Sequence, residues 1–338
     1  MEFRQLGEKG PVVSRVAFGN SLTAGNQLGD EAAVACMRAA FDAGITTFDT
    51  ADVYAEGRGE ELLGAALGGV PRDQVVLCTK VGRGAGGDSN GPGGLTRARI
   101  NHGLEQSLRR LGTDYIDVYQ AHLFDDATPL EESLEAFAAA FAAGKIRYLG
   151  VSEWAADELH AAGRAAAELG LPLVSNQPQY NLLWRVIEAE VLPACAELGI
   201  GQMVWSPLAG GVLTGKYRPG QELPAGSRAV AAKGGDVSIR RWRFLEDEVL
   251  ERVQALEPLA REGGLPLPQL ALAWTLQNRQ VASAVIGASA PDQITRNLAA
   301  VGTVLEPELL ARIDAVLGDA VIRDPNLTLS RMLRARRG

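Results

Sequence analysis

Four residues in the first 122 positions have types and spacings that could do chemistry together. Asp49 closes the run Ile45-Thr46-Thr47-Phe48, and Tyr54 follows five residues later. Lys80 closes Val75-Val76-Leu77-Cys78-Thr79, and His122 follows Tyr115-Ile116-Asp117-Val118-Tyr119-Gln120-Ala121. A free phenol, with a pKa of about 10, is a weak acid at neutral pH. An ammonium beside it stabilises the phenolate and makes the phenol a better acid. A carboxylate would hold that ammonium charged and in place. A phenol so placed can protonate a carbonyl oxygen while hydride arrives at the carbon. A neutral imidazole can orient the same carbonyl by hydrogen bonding. Polar residues also end later apolar runs: Ser152 after 146–151, Gln177 after 173–176 and Ser206 after Met203-Val204-Trp205. One charged residue at the end of an apolar run is ordinarily a solvated rim residue. Several ionisable groups at the ends of consecutive runs call for a shared location.

Such a location requires the runs to lie side by side. Apolar and β-branched runs at 15–19, 45–49, 75–80, 115–122, 146–151, 173–177, 200–205 and 283–287 read as strands. Helical patterns lie between and after them, near 31–43, 58–68, 96–110, 130–143, 155–169, 186–198, 246–262, 268–278, 291–300 and 306–317. Alternating strands and helices without a linker-like shift in composition predict a parallel sheet with helical crossovers. Eight repeats close a (β/α)8 TIM barrel; an open doubly wound sheet is the competing arrangement. Residues 1–320 read as one barrel and 321–338 as a C-terminal tail, with 2–7 and 10–13 forming a hairpin that plugs the barrel bottom. Thr96 is placed to cap a helix N-terminus, Pro129 and Pro291 suit first turns, and Gly44 and Gly144 suit helix ends. The long stretches 82–95 and 206–241 leave the carboxyl ends of the third and seventh strands, the face where barrels place their chemistry. The first of these is expected to act as a lid or substrate loop.

Composition narrows the partners. The chain has 338 residues, 46% hydrophobic and 22% charged, which is enough to bury a sizeable core. Its formal net charge of -8 argues against nucleic acid or an anionic membrane as the main partner. No apolar stretch reaches membrane-spanning length, and Met1-Glu2-Phe3-Arg4-Gln5 does not open a secretory signal. Cys36, Cys78 and Cys195 are odd in number and widely separated, which suits buried free thiols in a reducing compartment. The expectation is a cytoplasmic protein. His102 and His160 fall on helical patterns as surface or packing residues, and no spacing suggests a metal site.

The segment Phe48-Asp49-Thr50-Ala51-Asp52-Val53-Tyr54, followed by Gly59-Glu60-Glu61-Leu62-Leu63-Gly64, resembles the aldo-keto reductase signature. So does Asp114-Tyr115-Ile116-Asp117-Val118-Tyr119 ending at His122, and the resemblance runs in order to about residue 317. The loop from Trp205-Ser206-Pro207 to Thr214-Gly215-Lys216-Tyr217 is similar to the subgroup of potassium-channel β-subunits and bacterial sugar or secondary-metabolite ketoreductases. The resemblance implies a catalytic tetrad of Asp49, Tyr54, Lys80 and His122. Tyr54 would be the acid, Lys80 and Asp49 would tune it, and His122 would orient the substrate.

The resemblance also implies NADPH, or NADH, bound without a Rossmann motif. Ser152 and Gln177 would hold the nicotinamide carboxamide and Trp205 would stack on the ring, unless that indole is simply a core aromatic. The family commonly has Asn, or sometimes Arg, after that Ser, and this chain has Glu153. Ser206, Leu208 and Gly210 would line the pyrophosphate, with Lys216 and Arg228 meeting phosphates. Gly287, Ser289, Gln293 and Asn297 would hold the adenosine end. Arg296 would reach a 2′-phosphate or stand as a solvated helix residue. The implied activity is reduction of a ketone or aldehyde, in sugar, polyketide or simple aldehyde metabolism. The competing readings are a cofactor-sensing regulatory subunit and a glycosidase, the latter needing a second strand-end carboxylate opposite Asp49. The small-molecule carbonyl is the expected partner, and the subgroup allows a homo-oligomer. The basic stretch Arg331–Arg337 would be a solvated end, or an arm on a subunit or the barrel mouth.

Overall fold

Eight parallel strands close on themselves in the computed structural model, which describes residues 1–21, 27–83, 94–230, 239 and 242–335. In chain order they are β3 (Val16–Gly19), β4 (Thr47–Asp49), β5 (Val76–Val81), β6 (Ile116–Ala121), β7 (Ile146–Val151), β8 (Leu173–Asn176), β9 (Gly201–Trp205) and β10 (Val281–Ile286), with β10 pairing to β3 to complete the ring. Helices α1 (Asp30–Asp42), α2 (Arg58–Leu67), α3 (Arg97–Leu111), α4 (Leu130–Ala142), α5 (Ala156–Glu168) and α6 (Val191–Glu197) cross between the first seven strands. This is the (β/α)8 TIM barrel expected from the alternation. The doubly wound alternative falls with closure, although Gly82-Arg83-Gly84-Ala85-Gly86-Gly87 spells the GxGxxG spacing after β5. No described helix is long and apolar enough to cross a membrane.

Two expected helices are divided. The pattern at 186–198 becomes a short 3-10 turn at Val186–Glu188 and then α6, and 246–262 becomes Asp247–Gln254 and Leu256–Glu262. Pro193 and Pro258 account for both breaks, because proline removes an N–H and its ring clashes with the carbonyl four residues back. Pro129 is the residue before α4 rather than its first-turn residue. Thr96 does cap α3, its side chain accepting from the Arg99 N–H.

The core has two compartments. The larger lies between strands and helices. The smaller fills the barrel interior, where Ala17, Cys78, Val118, Val174 and Met203 meet Leu6 and Val13. Those last two come from the N-terminal hairpin, β1 (Phe3–Gln5) paired with β2 (Val12–Ser14). The hairpin seats against the start of β9 through glycine contacts: a Cβ on Gly201 would lie 2.3 Å from the Gly7 nitrogen. Interior side chains recur every second residue along a strand. Counting from Cys78 and Val118 therefore carries Lys80, then Gln120 and His122, up the barrel interior toward the carboxyl ends.

Most of the 82–95 loop lies outside the described residues, as do 231–238, 240 and 241 of the second loop and 336–338 of the tail. The described tail is folded back onto the barrel. The Ile322 N–H donates to the Leu183 carbonyl at 2.8 Å, and residues Leu329–Ala335 form a helix.

Candidate active site

Parallel register brings the tetrad together. Asp49 is opposite Cys78, and Lys80, two residues further along β5, is opposite Gln120. Lys80 is fully buried, and its ammonium has three acceptors: Asp49 Oδ2 at 2.7 Å, the Thr50 carbonyl at 2.8 Å and the Tyr54 hydroxyl at 3.1 Å. Three donors meet three acceptors, the condition under which a buried charge is tolerated. Burial opposes that charge, but the attraction of Asp49 and Tyr54 outweighs it and raises the Lys80 pKa. The other oxygen of Asp49 accepts from the side-chain amides of Gln177 at 2.8 Å and Gln120 at 3.3 Å.

Tyr54 opens a short 3-10 turn, Tyr54–Gly57, in which Ala55, Glu56 and Gly57 all have positive φ. The turn is braced beneath by Glu60, which accepts from the Thr79 hydroxyl at 2.6 Å and pairs with Arg110 at 3.0 Å. Gly57 has φ +91, a backbone that side-chain-bearing residues rarely adopt, so the turn favours glycine there. The His122 ring stands edge-on to Tyr54, with centroids 5.7 Å apart. Its Nδ1 is buried without a partner. Burial, then the positive charges of Lys80 and Arg83, push the His122 pKa well below its ordinary value, so the imidazole is neutral.

Asp49, Tyr54 and His122 line a cavity of about 910 Å³. It extends past Ser152, Gln177, Trp205, Ser206, Leu208 and Gly210 to Lys216 and Arg228, and on to Gly287, Ser289, Gln293, Arg296 and Asn297. Every cofactor contact expected from the sequence therefore faces one continuous space. Several already have protein partners. Ser152 donates to the Gln177 carbonyl at 2.9 Å, and the Gln177 amide donates to Asp49. Ser289 and Gln293 bond one another, the Ser289 N–H reaching Gln293 Oε1 at 2.9 Å. Arg296 is two-thirds exposed, pairs with Asp292 at 2.8 Å and borders the cavity.

A dinucleotide fits these features. An aromatic ring and hydrogen-bonding amides line the cavity, as do cations beside glycine backbone. Gly210 and Gly211 both have positive φ, and a Cβ on Gly211 would lie 2.9 Å from Lys216 Nζ. Lys216 opens to solvent through the cavity. Its surroundings still strip enough water to lower its pKa, and the positive charge of Arg228 lowers it further. Two cations in mutual repulsion form a site that an anion relieves.

Four contributors lie outside the expected site residues. Gln120 sits two residues before His122 and so shares its inward face, a period-two signal present in the strand. Glu153 is a buried strand-end carboxylate lining the same cavity, signalled by its departure from the family pattern. It is the second carboxylate a glycosidase would require. However, Asp49 is taken up by Lys80, Gln120 and Gln177, and Glu153 Oε1 by the Trp205 indole N–H and the Gln179 N–H. Leu329 and Met332 of the tail also line the cavity, in line with the expectation of an arm on the barrel mouth from the basic stretch Arg331–Arg337. Among the described residues no group of three or more His, Cys, Asp or Glu is placed to hold a metal.

A model of the aldo/keto reductase family matches residues 15–317. A probable voltage-gated potassium channel subunit beta from Oryza sativa subsp. japonica is 41% identical over 324 residues, covering 94% of this chain and 97% of the relative. A putative voltage-gated potassium channel subunit beta from Schizosaccharomyces pombe is 41% identical over 325 residues, covering 93% of each chain. A probable subunit of the same name from Arabidopsis thaliana is 40% identical over 324 residues, covering 94% of this chain and 97% of the relative.

Proposed function

The chain belongs to the aldo/keto reductase family, and from that premise we propose that it reduces a ketone or aldehyde to an alcohol, with Tyr54 delivering the proton. The observation that carries the reading is the Lys80 ammonium, shared between Asp49 and the Tyr54 hydroxyl on the cavity wall. When bound, NAD(P)H supplies the hydride. The residues that would hold it are Trp205, Ser152 and Gln177 at the nicotinamide, Ser206, Leu208 and Gly210 with Lys216 and Arg228 at the phosphates, and Gly287, Ser289, Gln293 and Asn297 at the adenosine. Arg228 and Ser289 favour NADPH over NADH.

The chain's own groups then divide the work. Tyr54 gives its hydroxyl proton to the carbonyl oxygen as that oxygen gains negative charge. Lys80 stabilises the phenolate left behind, and solvent later returns the proton. Asp49, held by Gln120 and Gln177, keeps the ammonium aimed at the phenol. The buried Nδ1 of His122 finds no acceptor, which favours the tautomer with its proton on Nε2. A neutral imidazole of that form donates a hydrogen bond to the substrate oxygen without competing as an acid.

The Tyr54→Phe variant tests the reading against a panel of sugar ketones, polyketide-like ketones and simple aldehydes, followed by NADPH oxidation. Turnover is expected to fall by about 10²–10⁴-fold, with NADPH binding retained. Unchanged turnover would overturn it. The names of the three relatives favour a second reading, a cofactor-binding regulatory subunit. It is distinguished by tight NADPH binding without carbonyl turnover in the unaltered chain. The three buried free cysteines support a cytoplasmic location under either reading.

A further inference from the structure

Glu153 has a conformation and a set of bonds that an ordinary strand-end residue does not need. It is only 6% exposed and has φ +61, a left-handed backbone that L-residues hold when their surroundings enforce it. Its Oε1 accepts from the Trp205 indole N–H at 2.8 Å and from the Gln179 backbone N–H at 2.6 Å. Trp205 is also fixed through its backbone. Its N–H donates to the Pro178 carbonyl at 3.0 Å, and its carbonyl accepts from the Tyr180 N–H at 3.3 Å. The indole is therefore anchored at the strand and again at its far nitrogen.

The same glutamate holds the C-terminal segment. The Ser330 N–H donates to its carbonyl at 3.4 Å, and the Leu329 N–H lies near enough to favour the charge on its carboxylate. The helix that follows is fastened independently by ion pairs, Arg331 to Glu190 at 2.7 Å and Arg334 to Glu158. Leu329 and Met332 face the cavity that Trp205 also lines.

We propose that Glu153 is a positioning residue that fixes the plane of Trp205 and ties it to the C-terminal segment, so that the indole face and the wall formed by Leu329 and Met332 are set together. The consequence for hydride transfer rests on the reductase reading, since it takes Trp205 to be the surface on which the nicotinamide lies. The coupling itself does not. A substrate pressing on Leu329 or Met332 would then be felt at Trp205 through one residue.

The test uses the full chain labelled with 5-fluorotryptophan and examined by ¹⁹F NMR without cofactor. The Trp205 resonance is assigned by its loss in Trp205→Phe. Glu153→Ala is expected to shift and broaden that resonance, and Glu153→Gln, which keeps one acceptor oxygen of the same reach, to restore most of it. Leu329→Ala is expected to move the Trp205 resonance in the parent chain and to leave it unmoved in the Glu153→Ala background. A Trp205 resonance indifferent to Glu153→Ala overturns the proposal, as does an equal response to Leu329→Ala in both backgrounds. Should Glu153→Ala fail to fold, Leu329→Ala alone decides, and an unmoved Trp205 resonance overturns the coupling. Adding NADPH separates the two readings: a Trp205 resonance that obeys Glu153 but ignores NADPH sinks the reductase reading and leaves the positioning role standing.

Discussion

The Lys80 ammonium lies 2.7 Å from Asp49 Oδ2, and neither side chain is more than 4% exposed. Removing one partner of such a pair strands the other charge in the interior, which costs about 3–5 kcal/mol. Lys80→Met is therefore expected to lower unfolding free energy by about that amount in a urea titration, and carbonyl turnover by about 100-fold or more. Replacing both residues with apolar ones, in Lys80→Met with Asp49→Leu, should recover most of the stability and none of the turnover. Equal recovery of both would mean that the pair serves the fold alone.

That pair shows why much of the site could be read before the fold was known. Asp49 and Lys80 each end a continuous apolar run, and a closed parallel sheet has only one face on which such ends can meet. His122 and Trp205 follow the same rule. Gln120 obeys it as well, but an amide inside a strand attracts less notice than an ionisable group at its end. The two divided helices escape the pattern because hydrophobic periodicity continues through Pro193 and Pro258 while the backbone hydrogen bonds do not. The tail was harder still. Arg334 meets Glu158 and Ile322 meets Leu183 across well over a hundred residues of chain, and such contacts leave no local pattern. Glu153 lay between these cases: its departure from the family was visible, but its bond to Trp205, 52 residues away, was not.

Arg228 and Lys216 provide a test of cofactor choice. Arg228 crowds Lys216 with like charge, and both line the cavity. A charge-assisted bond to phosphate contributes about 1.5–3 kcal/mol, so Arg228→Ala should weaken NADPH binding by about tenfold or more in a fluorescence titration. NADH binding should change little, and raising the salt concentration should narrow the difference. The Lys216 pKa should rise in the variant, because the neighbouring positive charge is gone. Equal losses for both cofactors would place Arg228 on the pyrophosphate they share rather than on a 2′-phosphate.

His122 makes stability depend on pH in a direction that can be worked out. Burial first, then Lys80 and Arg83, holds its folded pKa well below the ordinary value, so the native state keeps the ring neutral. The unfolded chain protonates it below about pH 6.5. From there down to the folded pKa the unfolded state binds the extra proton, and stability falls as pH falls, by at most about 1.4 kcal/mol per pH unit. His122→Gln removes this term, so the difference in unfolding free energy between variant and parent should move in the variant's favour by about 1–2 kcal/mol from pH 7 to pH 5. Buried carboxyls such as Glu153 titrate alike in both chains and cancel in that difference. Reduction of a carbonyl by the parent chain should accordingly show no inflection near pH 6.5. A flat difference, or an inflection there, would mean that the native imidazole takes up a proton in that range. His122 could then no longer serve as the neutral donor that orients the substrate oxygen.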